Sequence, residues 1–329
     1  MKIAVAGAGL AGLGALWHLT QFPHIEAVLF DPQGIGGGAS GVSTGLLHPF
    51  PGKKALRSWS SREGMEKTFG LLAIAEKALG RPVFERSGIF RPAISDQQKR
   101  DFRLRAEEDE EAFWREDPPG LWIPGAATVY SRLYLEGLWK ACAEKGAVFR
   151  KEKIESLHLD DFDLLILALG GDALGFEHCG NLPLKATKGQ TLLCRWPEKL
   201  PCSLVSEGHI TPTEDPGFCQ IGSTYEREFS SLEPVPEKAL GLLEKAARFH
   251  PPARHFEVAE IRAGVRISRP QGYRPICAKI APKAWVFTGL GSRGLLYHAW
   301  IGNALAEAVA SGWDELRPND LYKSLSVNG

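Results

Sequence analysis

Three glycines near the start of the chain have the spacing of a loop that binds a dinucleotide. Gly7, Gly9 and Gly12 form a GxGxxG pattern, and Asp31 follows 19 residues after Gly12. In such a loop the first glycine makes a tight turn, the second lets the backbone approach a pyrophosphate, and the third lets helix and strand pack closely. The helix that follows offers free N–H groups and a partial positive charge to the phosphates. Asp31 is placed to accept hydrogen bonds from the adenosine ribose, and its charge disfavours the 2′-phosphate of NADP.

The elements around these glycines form a strand–helix–strand unit. The pattern predicts a strand over residues 2–6, a helix over 10–21 and a strand over 27–30, which is the context that gives a GxGxxG its meaning. This order predicts a parallel sheet. A continuous apolar run at 163–169, followed by two glycines, predicts another strand buried on both faces, so the sheet resumes after an insertion.

Two further glycine-rich segments favour FAD over NAD, which the GxGxxG pattern alone leaves open. One is the loop over residues 34–45, and the other is the turn at 289–294, between a predicted strand at 285–288 and a predicted helix at 295–310. A flavin must be held at its isoalloxazine end as well as at its adenosine end. A helix N-terminus there would stabilise the negative charge that develops at N1–C2=O on reduction.

The rest of the chain predicts an insertion and a second, β-rich region. Helical patterns cover 55–79, 131–145 and 237–249; extended segments are predicted at 83–92, 147–149, 154–157, 190–195, 218–222 and 257–265. The acidic run at 107–111, inside a charged stretch at 97–116, is interpreted as the solvated face of a helix. We expect residues 1–82, 126–182 and 266–329 to form a discontinuous FAD-binding domain, with 83–125 and 183–265 forming an antiparallel substrate-binding domain.

Composition limits the classes of partner. Lys plus Arg and Asp plus Glu are 39 each among 329 residues, so the formal net charge is zero and no global field attracts nucleic acid or an acidic membrane. The six cysteines show no CxxC and no metal-ligand spacing, which predicts reduced thiols and no metal. No apolar run is long enough to span a bilayer and no signal-peptide pattern is present, so we expect a cytoplasmic protein without membrane contact.

The ordered set of motifs resembles the FAD-dependent amine oxidoreductases of the D-amino acid oxidase superfamily, which includes glycine oxidase and sarcosine oxidase. The resemblance covers nearly the whole chain through residues 7–12, 31, 39–41 with 45, 168–171, 188–190, 263–266 and 289–295. Among family members, segments 39–41, 222–225 and 289–295 are most similar to the flavin domain of a bifunctional tRNA-modifying enzyme. The resemblance implies an α/β fold of the p-hydroxybenzoate hydroxylase type, with a Rossmann-like FAD-binding domain and an antiparallel sheet over the flavin.

The resemblance also implies which residues contact FAD. They are Gly7, Gly9, Leu10, Ala11, Gly12, Asp31, Ser40, Gly45, Leu46, Ile154, Ala168, Gly170, Gly291, Ser292, Arg293, Gly294 and Leu295. Cys277 does not align with the cysteine that carries covalent flavin in sarcosine oxidases, so we expect non-covalent FAD. The segment at 274–279 lacks the glycine that usually follows its Pro-Ile pair, and the local turn there departs from the family pattern.

The implied reaction transfers a hydride from the carbon beside an amine nitrogen to flavin N5, and water hydrolyses the resulting imine. Arg266 matches the position of a carboxylate clamp, and Arg269 and Arg274 are alternatives for that role. The other candidates are His48 as a base or orienting donor, Arg293 at the flavin or substrate, and Tyr225 and Tyr273 as wall or lid residues.

The sequence does not decide between several substrates for an amine oxidoreductase, and it leaves two other functions as alternatives. An N-carboxymethyl amine is presented equally by a free amino acid, such as glycine or sarcosine, and by 5-carboxymethylaminomethyluridine in tRNA. The tRNA alternative needs a local basic patch, for which Lys53, Lys54, Arg57 and Arg62 are candidates. A flavin- or NAD-binding redox sensor without turnover is the alternative of another class, and an NAD-dependent dehydrogenase is a third. The sequence does not define the electron acceptor or the oligomeric state.

Overall fold

The fold is that of a computed structural model, which describes residues 1–196, 198, 200–270 and 273–317. In chain order the strands are β1 (Lys2–Ala6), β2 (Glu26–Phe30), β3 (Leu46–Leu47), β4 (Phe84–Glu85), β5 (Ile89–Pro92), β6 (Phe113–Glu116), β7 (Pro119–Ile123), β8 (Ala127–Val129), β9 (Val148–Arg150), β10 (Leu164–Leu167), β11 (Lys185–Arg195), β12 (Ser203–Val205), β13 (His209–Pro212), β14 (Phe218–Gly222), β15 (Val258–Ser268), β16 (Ile276–Ala281) and β17 (Ala284–Thr288). The α-helices are α1 (Leu10–Leu19), α2 (Ala39–Val42), α3 (Ser61–Leu79), α4 (Asp96–Glu108), α5 (Ser131–Glu144), α6 (Pro236–Ala247) and α7 (Gly294–Ala310).

The first sheet is built from both ends of the chain and from its middle. Its strand order is β16-β17-β10-β1-β2-β9, and the five strands from β17 to β9 are parallel. The predicted parallel sheet is thus confirmed. The antiparallel edge strand β16, paired with β17, was not predicted, because its sequence was interpreted only as a turn that departs from the family pattern.

Four helices, α1, α3, α5 and α7, form a layer whose backbones approach closely at glycines. A Cβ on Gly302 of α7 would lie 2.8 Å from the carbonyl carbon of Gly14 in α1, and a Cβ on Gly64 of α3 would lie 2.1 Å from the carbonyl oxygen of Leu296. The adjoining core contains fully buried Leu16 and Leu305. Since only hydrogen fits at these crossings, the glycines set how near the helices lie.

The second sheet has eight strands in the order β15-β11-β14-β13-β12-β5-β7-β6, antiparallel except where β12 meets β5. One face packs on α6 through Leu192, Ile210 and Ile221 with Leu242 of the helix. The opposite face looks toward α2, since a Cβ on Gly264 would lie 2.9 Å from Cα of Ala39. This face is therefore the part of the second sheet that meets the first half of the fold.

The boundaries predicted between the FAD-binding and substrate-binding domains stay a prediction. A small sheet of order β3-β8-β4 lies between the larger ones. Strand β15 runs without interruption across the predicted boundary at 265/266. Of the predicted range 266–329, residues 318–329 lie outside the described residues.

Three local predictions were wrong. The helix predicted over 55–79 begins at Ser61, because Ala55 and Ser60 have left-handed backbone conformations, with φ of 50° and 42°. Residues 154–157 do not form a strand, and Ile154 instead packs its side chain into a core cluster under the first sheet.

The acidic run at 107–111 was the third. Helix α4 ends at Glu108, and the residues beyond it turn toward arginines from another part of the chain rather than toward solvent alone. Arg57 binds Asp109 at 2.5 Å and Glu111 at 2.8 Å, and Arg62 binds Glu110 and Glu111 at 2.9 Å each. These ion pairs join segments about fifty residues apart in the chain, so a local sequence pattern does not predict them.

The described helices include none with the length and apolar character needed to cross a membrane. The six cysteines are free and buried.

The helix crossing gives a first prediction. Gly302→Ala should destabilise the protein by about 1–3 kcal/mol, because the added methyl meets the α1 backbone and the layer must shift. Gly241→Ala is the matched control, since this glycine lies in the exposed part of helix α6 with nothing within 4 Å of the added carbon. It should stabilise by about 0.5–1 kcal/mol through helix propensity. Urea unfolding of both variants measures the difference, and equal stabilities would contradict the packing argument.

Candidate active site

The turn after β1 brings three backbone segments into contact. Gly7 has a φ of +110°, and its N–H donates to the carbonyl of Phe30 at 2.7 Å. A Cβ on Gly7 would lie 2.2 Å from the carbonyl oxygen of Ala168, and a Cβ on Gly12 would lie 1.8 Å from the carbonyl oxygen of Gly7. Larger residues cannot replace either glycine without displacing backbone, so the GxGxxG is required by geometry.

Asp31 closes the same turn from the end of β2. One carboxylate oxygen, Oδ2, accepts the N–H of Ala8 at 2.8 Å, and Oδ1 accepts those of Gln33 and Gly34 at 2.8 and 2.9 Å. The carboxylate therefore lies beside the loop, at the place where an adenosine ribose would meet the carboxyl ends of β1 and β2.

The N-terminus of α1 is left open for an anion. Its N-cap is Gly9, which has no side chain to occupy the free N–H groups, and Ser40 accepts the N–H of Leu10 at 3.1 Å. A Cβ on Gly9 would lie 2.8 Å from Ser40 Oγ. Ala11 follows in the first turn and is buried. This arrangement matches a cradle for phosphate groups.

The late glycine turn lies next to this cradle. The N–H of Gly291 donates to the backbone carbonyl of Ile267, near the end of β15, at 2.8 Å. A Cβ on Gly294 would lie 2.8 Å from a methyl group of Leu10. The N-termini of α7 and α1 are thus adjacent. Ser292 is exposed and Leu295 is buried, while Arg293 is the N-cap residue of α7.

The loop that continues from α2 is fixed by another close contact. Gly45 has a φ of +74°, and a Cβ there would lie 1.7 Å from the carbonyl oxygen of Val129. Leu46 then pairs in β3, and His48 follows with its Nδ1 buried and without a hydrogen-bond partner in the described part of the chain. An orphaned buried nitrogen of this kind points to a polar group that the protein atoms do not supply.

The predicted cofactor-binding residues do not all lie around the turn after β1. Ala168 and Gly170 follow the end of β10, and the carbonyl oxygen of Ala168 lies next to Gly7. Ile154 is 8 % exposed and buries its side chain in the core cluster that also contains Phe30. Any contact that Ile154 makes to an adenine must therefore come from its backbone.

Arg266 lies on the sheet face that looks toward α2. Its Nη1 donates to Ser223 Oγ at 3.1 Å and its Nη2 donates to the carbonyl of Thr224 at 3.2 Å. The guanidinium centre lies 5.9 Å from the ring centre of Tyr225, which is 63 % exposed. Burial lowers the pKa of Arg266 from its ordinary value, because its described hydrogen bonds reach neutral acceptors and no carboxylate compensates the charge.

Arg293, like Arg266, has a backbone carbonyl and a tyrosine ring beside its guanidinium. It donates to the carbonyl of Tyr273 at 3.3 Å and lies 4.8 Å from the ring centre of this tyrosine, which is 59 % exposed. Of the two alternative clamps, Arg274 lies over the ring of Trp59, with its guanidinium centre 4.9 Å from the ring centre, and Arg269 is buried.

Two residues near the site were missed from the sequence, His209 and Arg91. Burial lowers the pKa of His48 to about 3, helped by the charges of Arg91, His209 and Arg293. Burial, followed by the charges of Arg266 and Lys245, also lowers the pKa of His209 to about 3. Both imidazoles are therefore neutral at physiological pH.

Arg91 holds the loop that carries His48. It is 2 % exposed and donates to the carbonyls of Phe50 and Gly52, and burial lowers its pKa to about 10. Its place on β5 next to this loop depends on pairing between distant strands, so the sequence alone carried no signal for it. His298, in contrast, is fully buried between Tyr134 and Gly294 and serves packing.

The cradle, the adjacent helix N-termini and the orphaned imidazole fit an extended dinucleotide that ends near His48. The described residues include no group of three or more His, Cys, Asp or Glu that could hold a metal ion. A family model described as FAD dependent oxidoreductase (DAO) matches residues 2–308. The chain belongs to the DAO family of FAD-dependent oxidoreductases.

Two curated relatives share this chain's sequence at low identity. The tRNA 5-methylaminomethyl-2-thiouridine biosynthesis bifunctional protein MnmC of Maricaulis maris is 25% identical over 326 residues, covering 94% of this chain and 52% of the relative. The protein of the same name from Idiomarina loihiensis is 27% identical over 280 residues, covering 73% of this chain and 45% of the relative. The chain thus spans about half the length of these relatives.

Solved structures with the same fold include a glycine oxidase and an iminodiacetate oxidase. Glycine oxidase from Geobacillus kaustophilus matches with a TM-score of 0.83 at 18% identity, covering 99% of this chain and 98% of that chain. Iminodiacetate oxidase from Chelativorans sp. matches with a TM-score of 0.79 at 19% identity, covering 97% and 98%. The predicted fold class, with an FAD-binding α/β region and an antiparallel sheet, is confirmed.

The cradle gives a second prediction. Gly12→Ala should weaken FAD binding about 5- to 150-fold, because about 1–3 kcal/mol of strain at the Gly7 carbonyl distorts the turn that faces the phosphates. The control is Gly70→Ala, in an exposed part of α3 with nothing within 4 Å of the added carbon. FAD titration followed by visible absorbance measures the affinities. Equal affinity in the two variants would show that the turn does not depend on Gly12.

Proposed function

We propose that this enzyme oxidises the C–N bond of a small amine that carries a carboxylate, such as glycine or sarcosine. The observation that carries the proposal is Arg266, a partly buried cation beside the late glycine turn whose described hydrogen bonds use neutral acceptors only. A guanidinium of this kind is suited to bind a carboxylate through two parallel hydrogen bonds.

The position of Arg266 relative to the cofactor cradle supports this proposal. Strand β15 reaches the late glycine turn through the hydrogen bond from Gly291 to Ile267, the residue directly after Arg266. A carboxylate on Arg266 therefore lies near the N-terminus of α7, where we propose the isoalloxazine end of FAD binds. FAD supplies the acceptor for the hydride that leaves the carbon next to the amine nitrogen.

The protein residues then have separate tasks in this proposal. The turn residues and Asp31 hold the adenosine and pyrophosphate, Gly45, Leu46 and the late turn hold the flavin end, and Arg266 orients the substrate. His48 contributes a neutral imidazole rather than a cation. The imine product is released to hydrolysis by water. Cys277 is fully buried in β16, in keeping with non-covalent FAD.

The second candidate substrate is 5-carboxymethylaminomethyluridine in tRNA, because two relatives are named for tRNA 5-methylaminomethyl-2-thiouridine biosynthesis. Tyr225 favours it, since its aromatic ring is 63 % exposed, and such a ring could stack on a base. The guanidinium groups of Arg266 and Arg227 lie 5.9 Å and 5.6 Å from the ring centre and would add positive charge there. The predicted basic patch does not favour it. Arg57 and Arg62 are paired with acidic residues, which leaves the exposed Lys53 and Lys54 as its unneutralised part.

The first test of function is anaerobic reduction of the bound FAD. The purified protein should be yellow and should be bleached by glycine or sarcosine, because each presents an N–CH2–COO⁻ group to Arg266. Stopped-flow absorbance compares these with tRNA bearing 5-carboxymethylaminomethyluridine. Bleaching by the tRNA alone would replace the small-amine proposal with the tRNA one, and a yellow protein that no amine bleaches would support a redox sensor.

A variant tests the carboxylate clamp. Arg266→Met should lower kcat/KM for the amine substrate by at least about 30-fold, since removal of one partner of a buried charge pair costs about 2 kcal/mol or more. The control is Arg262→Met, four residues earlier on the same strand and paired with Glu260 at 2.6 Å. An Arg262→Met variant impaired as severely as Arg266→Met would mean that the strand, and not the clamp, was tested.

A further inference from the structure

A short segment after β14 carries both hydrogen-bond acceptors described for Arg266. Nη1 of the guanidinium donates to Ser223 Oγ at 3.1 Å, and Nη2 donates to the carbonyl of Thr224 at 3.2 Å. The guanidinium lies over β11, since a Cβ on Gly189 would be 2.7 Å from Nη2. We call residues 223–226 the acceptor segment, because its position sets the direction in which the guanidinium points.

The acceptor segment extends the ladder of β11 beyond the end of β14. Lys188 and Glu226 exchange two backbone hydrogen bonds of 2.9 Å each, and the N–H of Thr224 donates to the carbonyl of Gln190 at 3.1 Å. The backbone N–H of Gln190 donates in turn to Thr224 Oγ1 at 2.8 Å. The segment is therefore docked on the same strand that the guanidinium covers.

Side chains of the acceptor segment lie alternately on the two faces of the sheet, as in any extended chain. Ser223 and Tyr225 lie on the face of Arg266, with the tyrosine ring centre 5.9 Å from the guanidinium centre. Thr224 and Glu226 lie on the face that packs on α6, where the carboxylate of Glu226 pairs with a lysine of that helix at 3.2 Å. The sheet therefore separates Glu226 from a ligand bound to Arg266.

The carboxylate of Glu226 accepts hydrogen bonds from three side chains. Its Oε1 accepts from Gln190 Nε2 at 2.7 Å and from Thr224 Oγ1 at 2.8 Å, and its Oε2 accepts from Lys238 Nζ at 3.2 Å. Burial disfavours the charge, yet these hydrogen bonds outweigh burial and lower the pKa of Glu226. The carboxylate is thus ionised at physiological pH and ties the segment to both β11 and α6.

Two side chains of β11 hold the chain that follows the acceptor segment. Lys188 is 1 % exposed, and its Nζ donates to the carbonyls of Ser231, at 2.8 Å, and Glu233. Gln190 is fully buried, and its Oε1 accepts the N–H of Val235 at 2.7 Å. The motif at residues 188–190 therefore anchors the stretch from the acceptor segment to the start of α6.

We propose that Glu226 is a positioning residue, which fixes the acceptor segment from the far face of the sheet and thereby orients Arg266 toward the substrate carboxylate. The inference rests on the proposed function and deepens it, because it places a determinant of carboxylate affinity outside the substrate site. A carboxamide at residue 226 has one acceptor oxygen and adds an NH2 donor, so a buried donor loses its partner. The segment then shifts, and the guanidinium shifts with it.

The experiment tests whether Glu226 acts through Arg266. We expect Glu226→Gln to lower kcat/KM for sarcosine about 5- to 30-fold, and to raise the inhibition constant of acetate by a similar factor. The affinity for FAD should stay at its wild-type value, because the cofactor cradle lies at another part of the fold. In the Arg266→Met protein the Glu226→Gln substitution should have no further effect, since residues that act as one unit are not additive.

The matched control is Glu228→Gln, two residues further along the chain at an exposed position, and it should behave like the wild-type protein. Thr224→Val removes the hydroxyl that joins Gln190 to Glu226 and should show the same pattern, so it replaces Glu226→Gln if that variant does not fold.

Two results would overturn the role of Glu226 and leave the proposed function intact. One is an unchanged inhibition constant of acetate in Glu226→Gln, and the other is an effect that adds in full to that of Arg266→Met. A wild-type protein whose FAD is reduced by no amine would instead overturn the proposed function and this inference together.

Discussion

The whole architecture depends on backbone contact at the carboxyl ends of β1, β2 and β10. The carbonyl oxygens of Gly7 and Ala168 lie where Cβ atoms of Gly12 and Gly7 would otherwise be, so three chain segments meet without side chains between them. This contact sets the tight turn from β1 into α1, and the first turn of α1 is capped by Gly9, which has no side chain, with Ser40 accepting the N–H of Leu10. Asp31, Ser40 and the late turn all take their positions from that one point.

A second constraint is that two arginines, Arg266 on β15 of the second sheet and Arg293 at the start of α7, lie close to the turns at the helix N-termini without a carboxylate partner among the described residues. Arg266 and Arg293 each rest on neutral carbonyls, hydroxyls and an exposed tyrosine ring rather than on carboxylates. For Arg266, burial without a carboxylate partner among the described residues costs desolvation energy. That cost is the usual sign that an anionic ligand completes the arrangement.

Sequence reasoning succeeded where a backbone conformation is encoded within a few residues. The GxGxxG and Asp31 could be predicted because each glycine reports a local backbone requirement, and the strand at 163–169 because burial on both faces leaves a continuous apolar run. It failed where the information lies in pairing between distant segments. The pairing of Arg57 with Asp109 and the register that lays His209 over Gly222 depend on tertiary contacts. Strand β16 was missed because its antiparallel pairing with β17 has no local signature.

The crossing of α1 and α7 also has a consequence for synthesis of the protein on the ribosome. Gly14 and Gly302 touch through their backbones, yet 288 residues separate them in the chain. At about 5–20 residues per second, the first βαβ unit waits roughly 15–60 s after its own synthesis before α7 can cover it. During that interval the apolar side of α1, including Leu13 and Leu16, lacks its final partner. Exposed apolar surface of this kind on a nascent chain is what chaperones bind.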